Sequence, residues 1–173
     1  MIIWITGLSA SGKTTLAKYL IKDMKKRKNH LTLVDGDNVR DIFLNDLDFD
    51  EKSRFKQITR MQNIAKFLDN QNCDVVIAAL YSHPKLLSRN RKIFKNYFEI
   101  YLKANVEFLI NREIKKIYKR ALQKKMKNVV GVDIKWHAPK KPDLIFDQKN
   151  QTKLSEMTSI IKKQIKLKLN LKI

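Results

Sequence analysis

The segment from Ile2 to Thr14 constrains the fold of this chain more than any other part of its sequence. A continuous apolar run, Ile2 to Thr6, predicts a parallel strand covered on both faces. It is followed by Gly7-Leu8-Ser9-Ala10-Ser11-Gly12-Lys13-Thr14, which fits G-x-x-x-x-G-K-[ST] at every defined position. Thr14 to Lys28 then has the apolar spacing of a helix. Strand, glycine-rich loop and helix in this order predict a phosphate-binding loop, and a chance match in an unrelated turn is the alternative.

Such a loop binds phosphate through its backbone and through two side chains. Backbone N–H groups and the positive end of the following helix attract phosphate, and glycines let the backbone approach it closely. We expect Lys13 to bridge the β- and γ-phosphates of ATP and the Thr14 hydroxyl to bind Mg²⁺. The predicted ATP-binding residues of this segment are Gly7, Ser9, Ala10, Ser11, Gly12, Lys13, Thr14 and Thr15.

Strands and helices alternate along the rest of the chain. The further predicted strands are Leu31 to Val34, Asp74 to Leu80, Phe98 to Lys103 and Leu144 to Phe146. The further predicted helices are Asp37 to Leu44, Glu51 to Gln71, Lys85 to Lys95, Val106 to Lys125, and one starting near Thr152. This alternation implies right-handed βαβ crossovers and therefore an α/β fold with one parallel sheet between two layers of helices. We expect residues 1–173 to form a single domain whose lid and loop region covers about residues 112–142, with a mobile loop from Lys124 to Pro142.

The carboxy-terminal residues carry a pattern that does not suit a helix. Ile165, Leu167, Leu169, Leu171 and Ile173 alternate with polar residues, as in a strand. One interpretation is an edge strand that pairs with a partner, which would make a homodimer possible. The other is the packed or frayed end of the last helix.

The charge and composition of the chain limit its partners. The formal charge is +20, from 37 Lys and Arg against 17 Asp and Glu, and the basic residues are spread over nearly every polar stretch. This spread favours solvated helix faces that also steer anionic nucleotides, while a nucleotide-gated nucleic-acid-binding protein is the alternative. No apolar run is long enough to span a membrane, and we expect a cytoplasmic protein. Cys73 is the single cysteine, so no intrachain disulfide forms.

Two carboxylates follow the second predicted strand, as Asp35-Gly36-Asp37. The third strand, in contrast, ends in Tyr81 and Ser82 instead of the acid that many ATPases carry there. Carboxylates at i and i+2 can divide the work of phosphate transfer, because one can hold a magnesium-bound water while the other accepts a proton from the attacking hydroxyl. We assign Asp37 as the catalytic base beside Lys13, and Asp35 to the metal. The reverse assignment and simple capping of the next helix are the alternatives.

With Asp35-Gly36-Asp37 continued by Asn38-Val39-Arg40, the chain resembles the adenylylsulfate kinases. Phe49 with Arg54, the stretch from Arg112 to Ala121, and Gly131-Val132-Asp133 are similar to further segments of that family. The resemblance implies a P-loop NTPase fold with strand order 2-3-1-4-5, and transfer of phosphate from ATP to the ribose 3′-hydroxyl of adenylylsulfate. It also implies that Arg40, Phe49 and Arg54 hold the acceptor nucleotide and that Arg112 and Lys115 belong to a lid on the ATP side.

The departures from the family fall on the acceptor side. Gln57 stands where the family has Asn, and Val129 stands where it has a second aromatic residue over adenine. The predicted acceptor-binding residues are Asp37, Arg40, Phe49, Arg54, Gln57, Lys127 and Val129. A smaller pyrimidine base fits between Phe49 and Val129, which favours the related kinases of bacterial capsule-sugar pathways that phosphorylate cytidine diphosphoramidate at the ribose 3′-hydroxyl. Adenylylsulfate stays open as the alternative acceptor.

Overall fold

A computed structural model of the chain describes residues 1–25, 31–112 and 116–170. Its centre is a sheet of five parallel strands in the order β2-β3-β1-β4-β5, which confirms the predicted fold class and strand order. The strands are β1 (Ile2–Gly7), β2 (Leu31–Asp35), β3 (Asp74–Ala79), β4 (Tyr97–Lys103) and β5 (Leu144–Asp147).

Seven α-helices within the described ranges surround the sheet. They are α1 (Lys13–Lys25), α2 (Gly36–Ile42), α3 (Glu51–Asn70), α4 (Pro84–Ile93), α5 (Val106–Ile110), α6 (Ile117–Leu122) and α7 (Leu154–Leu169). A short 3₁₀ helix, Gln148–Asn150, connects β5 to α7. No helix in these ranges is long and apolar enough to cross a membrane.

The side chains of β1 alternate between the two faces of the sheet, and each face has its own apolar core. Ile2 and Trp4 pack with Met61 of α3 on one face. Ile3 and Ile5 pack on the other face, against α1 and α7. Burial of each large aliphatic side chain stabilises the fold by about 1.5–3 kcal/mol, so the central strand is fixed from both sides.

This topology sets the place of the functional site. The chain leaves β1 at the centre of the sheet, and β1 is hydrogen-bonded to β3 on one side and to β4 on the other. Ligands of open α/β sheets bind beyond the carboxyl ends of the strands, at the point where the strand order reverses. The loop after β1 and the residues after β2 both lie at that edge.

The prediction of one continuous helix from Val106 to Lys125 is wrong. Helix α5 ends at Ile110, and α6 begins only at Ile117. Lys116 has a φ of 51°, in the left-handed region that a right-handed helix excludes. The sequence did not indicate the break, because apolar residues keep a helical spacing on both sides of it and no Gly or Pro stands between Val106 and Lys125. Lys115 lies outside the described residues, and so does the part of the predicted first helix beyond Lys25.

The carboxy-terminal alternation is not a strand in the described part of the chain. Helix α7 continues to Leu169, and Asn170 follows with a left-handed φ of 51°. Ile165 is fully buried in the core, whereas Leu167 is exposed, as expected when residues two apart point to different sides of a helix. Leu171 and Ile173 lie outside the described residues, and the homodimer stays a prediction.

Candidate active site

The loop between β1 and α1 needs both of its defined glycines, for different reasons. A Cβ atom at Gly7 would lie 2.6 Å from Ser11 Oγ and 2.7 Å from the Leu102 carbonyl oxygen, so no side chain fits there. Gly12 has space around it, but its φ of 91° lies in the left-handed region that favours glycine. Ala10 also has a left-handed φ, of 58°. The backbone therefore folds into the tight loop that the motif predicts.

Lys13 crosses this loop and is held by it. Its ammonium donates a hydrogen bond of 2.8 Å to the Leu8 carbonyl oxygen. Burial lowers the pKa of Lys13 to about 8, although the nearby carboxylates of Asp35 and Asp37 act in the opposite direction. An anion bound in the loop would restore the full positive charge, because it would compensate the lost solvation.

The two carboxylates at the end of β2 and the start of α2 are in different environments. Asp35 is buried, accepts a hydrogen bond of 2.7 Å from the Thr14 hydroxyl through Oδ2, and caps α2 by accepting one of 3.0 Å from the Asp37 N–H. Asp37 is exposed, and its carboxylate has no hydrogen bond or ion pair within the described ranges. Asp35 thus contacts the phosphate loop, while Asp37 is free to accept a proton.

The acceptor-side arginines meet on one aromatic ring. The Arg40 guanidinium lies 4.3 Å from the centre of the Phe49 ring, and the Arg54 guanidinium lies 5.6 Å from it. Arg40 also donates to the carbonyl oxygens of Leu47 (2.6 Å) and Asp48 (3.2 Å), which fixes the loop before α3. Burial, together with the positive charge of Arg40, lowers the pKa of Arg54 to about 10. The Phe49 ring itself remains half exposed, with 53% of its surface accessible.

The remaining predicted acceptor residues differ in their burial and in their contacts. Gln57 is buried and donates from Nε2 to the Gly36 carbonyl oxygen at 3.0 Å, while its Oε1 is buried with no partner in the described part of the chain. Lys127 is exposed. Val129 is only 5% exposed and packs in the apolar core, and its contact with an acceptor base stays a prediction. The structure therefore groups Gln57 with the Asp35-Gly36-Asp37 segment.

On the ATP side, two predicted residues lie at the surface. Thr15 is exposed, and the exposed Arg112 places its guanidinium 5.3 Å from the centre of the Phe108 ring. A contact that the sequence did not indicate links α6 to the loop, because the Tyr118 hydroxyl donates to the Ser9 carbonyl oxygen at 3.2 Å. The fully buried Tyr118 belongs to the stretch from Arg112 to Ala121 that resembles the family's lid, but no contact was predicted for it.

The contacts of Ser82 and Asp133 were not predicted from the sequence. Ser82 is buried, and its hydroxyl donates to the His137 carbonyl oxygen. Asp133 accepts hydrogen bonds from the backbone N–H groups of Asn128 and Val129. A short polar side chain near a turn, such as Asp133 after Gly131, is a known signal for local backbone contacts, whereas the contact of Ser82 with His137 spans 55 residues and has no local signal.

The site combines a glycine-rich phosphate loop after the central strand with a lysine held across that loop and two carboxylates, Asp35 and Asp37, where β2 ends. This combination defines a P-loop phosphotransferase. The Adenylylsulphate kinase family model matches residues 1–147. The chain belongs to the adenylylsulfate kinase family, whose members are ATP-using kinases.

The chain is similar to two kinds of kinase within that family, cytidine diphosphoramidate kinases and adenylyl-sulfate kinases. The cytidine diphosphoramidate kinase of Campylobacter jejuni subsp. jejuni serotype O:2 is 36% identical over 166 residues, which cover 96% of each chain. The adenylyl-sulfate kinase of Prochlorococcus marinus is 36% identical over 152 residues, 85% of this chain and 74% of that protein. Among solved structures, the APS kinase of Mycobacterium tuberculosis in complex with AMPPNP and APS has the same fold, with a TM-score of 0.87, 23% identity, and coverage of 95% and 96% of the two chains. These likenesses favour a kinase over the nucleic-acid-binding alternative.

Proposed function

We propose that this chain transfers the γ-phosphoryl group of ATP to the ribose 3′-hydroxyl of cytidine diphosphoramidate. The observation that carries the transfer chemistry is the contact of Thr14 with Asp35 beside the free carboxylate of Asp37. It joins the phosphate loop to the acidic segment at the edge of the sheet where ligands of such folds bind.

Residues of the phosphate loop are suited to hold ATP with Mg²⁺. The Thr14 hydroxyl and the Asp35 carboxylate present oxygen atoms, the ligand type that Mg²⁺ prefers. The described residues contain no group of three or more His, Cys, Asp or Glu side chains arranged around one metal position, which suits an ion that takes its other ligands from water and substrate phosphates. When bound, Mg²⁺ would neutralise charge on the β- and γ-phosphates.

Protein side chains supply the rest of the chemistry. Asp37 would accept the proton of the ribose 3′-hydroxyl while the 3′-oxygen attacks the γ-phosphorus and the bond between the γ-phosphorus and ADP breaks. The Lys13 ammonium donates to the Leu8 carbonyl oxygen at 2.8 Å. With ATP bound, it would contact the phosphates instead and stabilise the negative charge that develops on them during transfer. Arg40 and Arg54 present donors to the anionic 5′ group of the acceptor.

The choice of acceptor rests on the ring of Phe49 and on the relatives. The Phe49 ring is half exposed, and the buried Val129 supplies no second aromatic ring. Stacking on a second aromatic ring is worth about 0.5–1.5 kcal/mol, and a purine gains more from it than a pyrimidine. The Campylobacter jejuni relative, which aligns over nearly the whole of both chains, is a cytidine diphosphoramidate kinase.

The test compares both acceptors with the same enzyme. Purified protein with ATP and Mg²⁺ is given cytidine diphosphoramidate or adenylylsulfate, ADP release is followed, and ³¹P NMR locates the new phosphate on the product. We expect kcat/KM to be about tenfold higher or more with the cytidine compound, as an energy difference of 1.4 kcal/mol implies. A preference for adenylylsulfate contradicts the acceptor proposal, and turnover of neither compound contradicts the transfer itself.

The assigned base is tested with a matched pair of variants on α2. Asp37→Asn should lower kcat by a factor of about 10² to 10⁴, the usual contribution of a positioned base. Asp41→Asn is the control, because Asp41 is exposed on the same helix and its carboxylate accepts a hydrogen bond of 3.2 Å from Asn45 Nδ2. Full activity of Asp37→Asn would show that another group takes the proton.

A further inference from the structure

A tight turn at residues 128–134 lies between the two halves of the site. The Gly131 N–H donates to the Ile134 carbonyl oxygen at 2.7 Å, and the Val132 N–H donates to the Val129 carbonyl oxygen at 3.1 Å. Asn128 and Gly131 both have left-handed φ angles, of 64° and 95°. The turn is therefore a compact unit with a defined shape.

One end of this turn touches the phosphate loop. A Cβ atom added to Gly131 would lie 3.2 Å from Leu8 Cδ2 and 3.0 Å from Val106 Cγ2, so the turn packs directly on these side chains. Leu8 belongs to the phosphate loop, and its carbonyl oxygen accepts the hydrogen bond of Lys13. The position of Gly131 is thus coupled to the ATP side by van der Waals contact.

The other end touches the acceptor side. The carbonyl oxygen of Asn128 accepts a hydrogen bond of 2.7 Å from Arg54 Nη2. The same guanidinium lies over Phe49, and its Nε is buried with no partner in the part of the chain that the structure describes. A shift of Asn128 would therefore move the arginine that faces the acceptor.

Asp133 holds the acceptor end of the turn in place. Its Oδ1 accepts the Val129 N–H at 2.5 Å, and its Oδ2 accepts the Asn128 N–H. Each carboxylate oxygen thus accepts one backbone N–H of the two-residue segment that carries the Asn128 carbonyl. Partial desolvation raises the pKa of Asp133, but these hydrogen bonds and the charge of Arg54 outweigh it, and the net pKa is lowered.

We propose that Asp133 is a positioning residue for the acceptor, which acts by fixing Asn128 and through it the guanidinium of Arg54 at a set distance from the phosphate loop. Asp133 itself does not touch the substrates in this role. The inference rests on the proposed function for its substrate, and extends it to the residue that sets the geometry between donor and acceptor.

The test variant is Asp133→Asn, because asparagine has one acceptor oxygen where two N–H groups must be satisfied. We expect the KM of the acceptor to rise about tenfold, the usual effect of losing a hydrogen bond to a charged group, while the KM of ATP and kcat change less than about threefold. Asp143→Asn is the control. Asp143 lies in the same connection before β5 and also accepts a backbone N–H, that of Glu99 at 2.7 Å, but contacts neither arginine of the acceptor side.

A double-mutant cycle separates positioning from general loosening. Because the effect passes through Arg54, adding Asp133→Asn to Arg54→Ala should change the acceptor KM less than about twofold. An unchanged acceptor KM in Asp133→Asn would overturn the proposal, as would an equal rise in Asp143→Asn or an undiminished effect in the Arg54→Ala background.

Failure of the proposed function would be visible separately, as wild-type enzyme that phosphorylates neither acceptor. The role of Asp133 is then decided by amide hydrogen exchange of the ligand-free protein. Asp133→Asn should speed exchange at Asn128 and Val129 about tenfold or more relative to wild type, since both amides lose a charged acceptor. Unchanged exchange at these two amides would refute the positioning role.

Discussion

Lys13 should make ATP binding weaken as the pH rises above about 8. In the ligand-free chain, burial holds the pKa of this lysine at about 8, well below its ordinary value of 10.5. The phosphates of ATP favour the charged form, so binding raises the pKa again. Only the protonated lysine binds ATP at full strength, and therefore the affinity is constant well below pH 8 and falls above it.

The size of the effect follows from the protonation equilibrium. At pH 9 about one lysine in eleven is protonated in the free enzyme, so the apparent Kd of ATP should be about elevenfold larger than at pH 6.5. Near pH 8 half of the lysines are neutral, and binding should take up about half a proton for each ATP bound. Both quantities come from isothermal titration calorimetry, the second by comparing buffers of different ionisation enthalpy.

Lys13→Arg supplies the control, because a guanidinium stays charged throughout this range. Its affinity for ATP should be lower than that of the wild type, since arginine does not reproduce the point charge of lysine, but it should not change between pH 6.5 and 9. A wild-type Kd that varies less than twofold over this range would refute the reasoning. The same refutation follows if Lys13→Arg shows the wild-type pH dependence.

Three further predictions concern the loop and the two cores. Gly7→Ala should abolish measurable ATP binding, because its Cβ would lie 2.7 Å from the carbonyl oxygen of Leu102; normal binding in calorimetry would contradict this. Ile161→Ala should lower the free energy of unfolding by about 2–5 kcal/mol in urea titrations, since Ile161 of α7 is fully buried, and a loss below about 1 kcal/mol would mean that α7 does not pack on the sheet. Burial raises the pKa of Glu99, although Arg91 lies 3.3 Å from its carboxylate. The free energy of unfolding of the wild type, relative to that of Glu99→Gln, should therefore fall as the pH rises through the raised pKa. A stability difference that does not change between pH 4.5 and 8 would show that the pKa is not raised.

Much of the fold was predictable because it depends on local patterns. The apolar runs of β1, β3 and β4 and the apolar spacing of α1 and α3 each appear within a few consecutive residues. The interrupted helix between Val106 and Lys125 was not predictable in this way. Its break has no Gly or Pro, and the position of α6 depends on Tyr118, whose hydroxyl reaches the distant phosphate loop at Ser9.

In the candidate site, too, the part that depends on local sequence was predictable and the part that depends on long-range contacts was not. Its phosphate loop is contiguous in sequence, so residue types and spacing predict both its shape and its ligand. Its acceptor half is assembled from separate segments, and the residue type at one position does not tell whether the side chain faces the ligand. Val129 illustrates this, since we predicted it as an acceptor-binding residue, the tertiary structure leaves it 5% exposed in the apolar core, and its contact with the acceptor stays a prediction.

By itself, the sequence determined that the chain has a phosphate loop on a central parallel strand, with two carboxylates at the end of the next strand. Backbone geometry and residues close in sequence are enough to specify these features. Only the tertiary structure decided how Arg54 is held by the carbonyl of Asn128, a contact between residues 74 positions apart. Such contacts arise when separate elements pack on the same sheet, and no local pattern in the chain encodes them.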